Sequence, residues 1–476
     1  MNIKTDVIFD TSYELLKKLT DTAERRCLDN LRYFDDRLVL IEGGGYEKIW
    51  LETQPMSGEM YAKRNLVAGL NNQLLFMENQ RSDGRLPGSI ACVDGKIVPQ
   101  FDKFQGFCFP AHAFNMYFLS GKDKAYLELL YTVLERFDAY LWNVRDSDGD
   151  GCLEAWCKYD TGEDHAERYG DAPDSWDKEY PPADRAMVPI ASMDIMSFSY
   201  SCRDTLSRIS QILGNESDKG KWEGLALEVK QKIREFLWDG KKGACYDRDK
   251  HHNQMPVLIH NNLRTMYWKS LYPDMAERFV REHLLNPDEF WTTMPLPSVA
   301  VNDPLFRNIP TNNWSGQCEA LTYQRAIQAL SNYGYDYLIP ILGEKLFTAI
   351  GDECAFVQQF DPFTGKPSIL DISTSYGPAL VSVMEYVARM YGVSIEGEEI
   401  HWGTVGGYES SYEQIWGEHS FKIINHKTSV KGYIDGKTVF ESGADLKVVT
   451  DLTGKVLKVI PYVPDAKFHD IKTYIN

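Results

Sequence analysis

The chain has 476 residues, enough for about three ordinary domains or for one large fold with an appendage. Its 51 basic and 69 acidic side chains leave a net charge of −18, which argues against nucleic acid as a partner, because phosphate binding needs clustered Lys and Arg. Apolar residues at 43% and charged residues at 25% exclude a disordered chain, and the 13% aromatic content supplies faces suited to a core or to stacking on sugar rings.

The N-terminal stretch MNIKTDVIFDTSYELL lacks the basic, apolar and small-residue succession of a secretion signal. No run approaches the roughly 18 apolar residues that span a bilayer. Nine dispersed cysteines suit reduced thiols better than a disulfide framework, and Cys152 with Cys157 has no second pair at zinc spacing. These features predict a mature chain starting at Met1 in the cytoplasm, without a membrane partner.

Helical periodicity dominates up to about residue 392. Leu15, Leu16, Leu19, Ala23, Cys27, Leu31 and Phe34 form one apolar stripe. Ala125 to Trp142 reads the same way. Phe198, Cys202, Leu206, Ile209 and Leu213 make another stripe, stopped by Gly214-Asn215, and Trp222 to Leu237 another, ended by Asp239-Gly240. Further helices are expected near 315–333, 336–349 and 374–391. Loops at 40–57, 81–110, 143–184, 286–314 and 351–373 are too long and too aromatic to be idle connections. Beyond residue 398 the texture turns to strands. Phe421–Asn425 precedes a hairpin at Asp435-Gly436, and Leu446–Val449 and Lys455–Ile460 flank Thr453-Gly454. The expected organisation is a helical domain over 1–395 and a small antiparallel β module over 396–476.

The loops carry the candidate chemistry. Trp50-Leu-Glu-Thr-Gln54-Pro-Met56, Gln80-Arg-Ser-Asp-Gly-Arg85-Leu-Pro-Gly88 and Phe104-Gln-Gly-Phe-Cys-Phe-Pro110 combine rigid turns with projecting Trp, Gln and Arg. Trp156-Cys-Lys-Tyr-Asp-Thr-Gly-Glu-Asp164-His-Ala-Glu-Arg168 sets carboxyl groups beside an indole. Glycoside hydrolysis needs such a group, because an apolar wall or a neighbouring carboxylate raises the pKa of its acid. Asn313-Trp314-Ser-Gly-Gln317 and Phe356-Val-Gln358-Gln-Phe-Asp361-Pro-Phe-Thr-Gly365 complete the set. Two further patterns read as ordinary loops. Asp146-Ser-Asp-Gly-Asp150-Gly151 resembles the front of a calcium loop, but its twelfth position is Cys157. His251, His252, His260 and Cys245 lack metal-ligand spacing.

In this order the blocks resemble the clan of inverting (α/α)6-toroid glycosidases that contains trehalases, processing α-glucosidases and mannosylglycerate or glucosylglycerate hydrolases, with the greatest likeness to the mannosylglycerate-hydrolase-like group. The resemblance spans about residues 40–392. It implies a mainly α (α/α)6 toroid, no cofactor or metal, and a small carbohydrate as partner. It also implies that Asp164 is the general acid and that position 358 holds the general base. Trp50, Gln54, Trp156, Trp314, Gln317 and Tyr376 are expected to line the sugar subsite, and Arg85, Arg168 and Lys158 to meet an anionic aglycone. The clan carries glutamate where this chain has Gln358, and an amide cannot take a proton from water. Three readings follow: an inactivated variant, an enzyme using Asp361, Glu353 or Glu319 instead, or a sugar-binding relic. A sugar epimerase on the same toroid is the rival enzyme, and it would require histidines in the cleft.

Overall fold

The computed structural model describes residues 3–368, 374–462 and 471–474, so the last five residues of the expected 351–373 loop lie outside it. The described residues form twelve α-helices. These are α1 (Glu14–Leu28), α2 (Gln54–Tyr61), α3 (Leu66–Glu78), α4 (Pro110–Leu119), α5 (Lys124–Val144), α6 (Met193–Ile212), α7 (Glu216–Lys232), α8 (Asn261–Tyr267), α9 (Pro273–Phe279), α10 (Ala320–Asn332), α11 (Leu338–Ile350) and α12 (Gly377–Tyr391).

Their boundaries follow local chemistry. Asp123 caps α5 by accepting the Ala125 N–H, and Ser192 caps α6 through Asp194 and Ile195. The α5 stripe buries Leu127, Leu130, Leu134, Phe137 and Leu141. In α2 all eight residues are buried, and α4 is apolar on nearly every side. Such helices show no polar face, so periodicity does not reveal them. The expected loop at 40–57 accordingly ends in α2, which starts at Gln54. The first stripe is also shorter than expected. Helix α1 stops at Leu28, and Leu31–Phe34 pairs with Arg37–Leu40 as a hairpin whose turn holds Asp35 at φ 56°.

The even-numbered helices pack in a cycle. Helix α2 contacts α4, α4 contacts α6, α6 contacts α8, α8 contacts α10, α10 contacts α12, and α12 returns to α2. Helices α1 and α11 lie on α12, α3 lies on α2, and α5 and α7 lie on α6. The loops preceding α2, α4, α6, α10 and α12 come together at the N-terminal ends of the cycle.

The C-terminal strands form two antiparallel sheets, as the alternation predicts. One contains Val393–Glu396, Glu399–Gly403, Leu446–Asp451 and Val456–Pro461. The other contains Glu409–Trp416, His419–His426, Ser429–Ile434, Lys437–Gly443 and Lys472–Thr473, with the Asp435-Gly436 turn joining Ile434 to Lys437. Its far edge is the N-terminal strand Thr5–Thr11, paired in register from Thr5 with Trp416 to Thr11 with Ser410. The two chain ends thus share one sheet. All nine cysteines are free thiols, and among the described residues no helix is long and apolar enough to cross a membrane.

Deleting residues 1–12 exposes the edge of Glu409–Trp416, an unpaired ladder that promotes edge-to-edge association. The truncated chain should melt at lower temperature and scatter light on heating, whereas an unchanged melting curve would show that the strand adds nothing to stability.

Candidate active site

Five loops converge on one cavity, walled by Tyr46, Trp50, Tyr159, Trp314 and Tyr376. Three carboxyl groups, Glu42, Glu52 and Asp164, line it together with Gln358, Gln105 and Lys103. Buried ion pairs fix these loops from beneath. Arg145 donates to Asp160 at 2.6 Å with both side chains fully buried, and Asp160 also accepts the N–H groups of Phe104 (3.1 Å) and Trp156 (2.8 Å). Gly106 N–H bonds the Asp160 carbonyl, which locks the 104–106 loop to the acid loop. Arg264 donates to the Thr161 carbonyl at 2.6 Å and to Asp194 at 2.9 Å, and its guanidinium lies 5.2 Å from the Trp314 ring. Arg168 holds the neighbouring Glu163 and Asp247.

Asp164 sits on the cavity wall with its carbonyl accepting the Trp314 N–H at 3.0 Å. Its carboxylate accepts from Gln105 at 3.2 Å and from the Asn312 amide at 3.0 Å. Burial raises its pKa above the ordinary aspartate range, and those two hydrogen bonds pull in the opposite direction. Gln358 Oε1 accepts the Tyr46 hydroxyl at 3.0 Å, and its Nε2 donates to Asn312 Oδ1 at 2.7 Å. Asn312 therefore spans the gap between the two positions. The two hydrogen bonds and the width of one amide cap the separation of the Asp164 and Gln358 side-chain termini at about 8 Å, a bound that admits both the ~6.5–9.5 Å of inverting and the ~5–5.5 Å of retaining glycosidases.

Glu52 accepts Arg325 at 2.8 Å, and Gly106 and Gly162 press against it. A Cβ on Gly162, whose φ is +74°, would lie 2.2 Å from Glu52 Oε2, so only glycine fits there. Burial pushes Glu52 up to about 7, with Arg325 and Arg264 opposing the shift. Glu42 accepts the Tyr376 hydroxyl at 3.1 Å, and burial, then the Glu52 charge, push it well above the usual range.

The structure brings Trp50, Asp164, Trp314, Gln358 and Tyr376 together as the sequence predicts. Other expected site residues lie elsewhere. Gln54 turns back to accept the Trp50 N–H at 2.6 Å, and Gln317 bonds Asn308 and Ser368. Trp156 is buried with the Arg145 guanidinium 4.1 Å from its ring centre. Arg85 is fully buried against Phe104, Arg168 is bound in its ion pairs, and Lys158 pairs with Asp174. Among the substitute bases, Glu319 is buried outside the cavity and accepts Gln359 at 2.7 Å. Asp361 caps its own loop through Phe363 and Thr364, and Glu353 is exposed. Sequence reasoning missed Glu42, Tyr46, Glu52, Lys103, Gln105, Tyr159 and Asn312. The three glycines Gly43–Gly45 before Tyr46 were the available signal for the first two.

Away from the cavity, ligand atoms of Asp148, Asp150 and His252 lie within 4.8 Å of one another. His252 Nε2 stands 2.8 Å from Asp148, while the loop carboxylates also accept backbone N–H groups of Asp150, Gly151 and Cys152. The cysteines Cys152 and Cys157 are not in this group.

The chain matches the family model for the mannosylglycerate hydrolase MGH1-like glycoside hydrolase domain over residues 70–377. No curated protein sequence matches it. Among solved structures it resembles the GH63 mannosylglycerate hydrolase from Thermus thermophilus in complex with glucose, at 15% identity and a TM-score of 0.62, covering 78% of this chain and 99% of that one. It also resembles the neutral trehalase Nth1 from Saccharomyces cerevisiae, at 12% identity and 0.53, covering 74% and 73%. An α-L-rhamnosidase from Dictyoglumus thermophilum shares 15% identity at 0.59, covering 91% of this chain and 44% of that one. These likenesses concern the fold.

The raised pKa of Glu52 makes a stability prediction. The folded state binds this proton more tightly than the unfolded chain does. Its contribution is therefore complete below about pH 4.5 and is lost as pH rises through about 7. Melting temperature should fall more steeply across that window in the wild type than in Glu52→Gln. Parallel curves would mean that Glu52 titrates normally in the fold.

Proposed function

Because the chain belongs to the mannosylglycerate hydrolase MGH1-like glycoside hydrolase family, we propose that it hydrolyses a small α-linked glucoside or mannoside with inversion at the anomeric carbon. The cycle of even-numbered helices, with its partners outside, reads as an (α/α)6 toroid followed by a β module, and the cavity at one end of the ring is the sugar site. The observation that carries the reading is the Asn312 bridge, which joins an acid position and an amide position that line one aromatic cavity.

Asp164 is the proton donor to the glycosidic oxygen. Its raised pKa keeps the acid form to higher pH than an exposed aspartate would allow. Trp50, Trp314, Tyr46 and Tyr376 present ring faces and edges to the sugar. The indole N–H groups of Trp50 and Trp314 are buried without a protein acceptor, and sugar hydroxyls are suitable partners. With Arg85 and Arg168 bound in the interior, Lys103 is the cation lining the cavity.

Gln358 sustains a second reading, a sugar-binding protein without turnover, since an amide cannot serve as base. Kinetics separate the two. Asp164→Asn should lower kcat on α-glucosides or α-mannosides by about 10²–10⁴-fold while leaving sugar binding within a few-fold. Full activity in Asp164→Asn contradicts the acid assignment. Binding of monosaccharide without turnover by either wild type or Gln358→Glu would favour the binding protein.

A further inference from the structure

Inverting hydrolysis needs a proton acceptor on the face opposite Asp164, and the side chain at position 358 cannot be that acceptor. The carboxyl groups near the cavity are not equivalent. Glu52 lies on the acid-loop side, pressed against Gly162 and bound to Arg325. Glu319 is buried outside the cavity, on Gln359. Glu42 lies on the Gln358 side. Its carbonyl accepts the Gly377 N–H, and the adjacent Tyr376 N–H bonds the carbonyl of Phe356, two residues before Gln358. The Gly43–Tyr46 turn, closed by reciprocal backbone hydrogen bonds, then delivers the Tyr46 hydroxyl to Gln358 itself. With Asp164, which the Asn312 amide links to Gln358, already placed as the acid, Glu42 is the remaining cavity carboxyl tied most directly to the Gln358 segment. Among the described residues it carries no salt bridge, only the Tyr376 hydroxyl.

We infer that Glu42 accepts the proton of the attacking water, with Gln358 as a positioning amide beside it. This rests on the hydrolytic reading above. The water oxygen bonds to the anomeric carbon as the glycosidic carbon–oxygen bond breaks. The electron pair of that bond goes to the leaving oxygen, which takes the Asp164 proton. The water proton goes to Glu42, and exchange with solvent returns both groups to their starting forms. Burial first, then the Glu52 and Asp164 charges, oppose the Glu42 carboxylate, and the Tyr376 hydroxyl stabilises it by hydrogen bonding, so base catalysis by Glu42 strengthens as pH rises.

The test compares wild type, Glu42→Gln, Gln358→Glu and the double variant on 4-nitrophenyl α-D-glucoside and α-D-mannoside, with melting curves to verify folding. The inference expects wild-type turnover, a fall in kcat of about 10²–10⁴-fold in Glu42→Gln with KM within a few-fold, and recovery in the double variant. Sodium azide, a nucleophile that needs no base, should restore Glu42→Gln and yield a glycosyl azide of inverted configuration. Folded Glu42→Gln with wild-type kcat overturns the inference, as does an idle wild type beside an active Gln358→Glu. Both of those outcomes leave the hydrolytic reading standing. Absence of turnover in wild type and Gln358→Glu alike overturns that reading and this inference together.

Discussion

A carboxylate taken out of water is costly unless a cation and hydrogen-bond donors replace its hydration. Glu52 meets that demand by drawing three parts of the chain together. Arg325 reaches it from α10, and the loops of Gly106 and Gly162 close over it with no room for a side chain. The Gly162 loop carries Asp164 two residues later, and the Gly106 loop carries Gln105, which bonds Asp164. The acid therefore owes its place to a neighbouring carboxylate that does not touch it by hydrogen bond.

The same constraint explains the charge beneath the cavity. Arg145–Asp160, Arg168–Glu163–Asp247 and Arg264–Asp194 are buried groupings in which loss of one partner would leave an unpaired ion. Each also holds backbone of the 156–169 segment or its neighbours. Loops this long are ordinarily mobile, and here ionic anchors substitute for regular secondary structure. The aromatic walls then stand on a fixed base, and carboxyl groups crowded among them hold their protons more tightly than they would in water.

Much of the fold was legible where helices are amphipathic. The α5, α6 and α7 stripes and the Asp435-Gly436 hairpin stand where their periodicity and turn residues put them. Helices α2 and α4 were not legible, because burial on all sides erases the period. At the site, Asp164, Gln358, Trp50 and Trp314 came from ordered motifs, and Tyr376 from the family resemblance alone. Glu52 and Gln105 lay within those motifs but gained a role only from contacts across the fold. Asn312 shows the limit most clearly. It meets Asp164 from 148 residues away and Gln358 from 46, and nothing in the local sequence announces either contact. The arginines failed for a related reason: a charged side chain in a loop motif reads as projecting outward, whereas Arg85 and Arg168 point into the core.

The central claim is that Asp164 and the Gln358 face act from opposite sides of one sugar, leaving room for water between. Proton NMR of an α-glycoside during its first minutes of hydrolysis tests this most directly. The account predicts that the β-anomer of the released sugar appears first and then mutarotates. Initial release of the α-anomer would contradict it, because retention requires a carboxylate nucleophile in contact with the anomeric carbon.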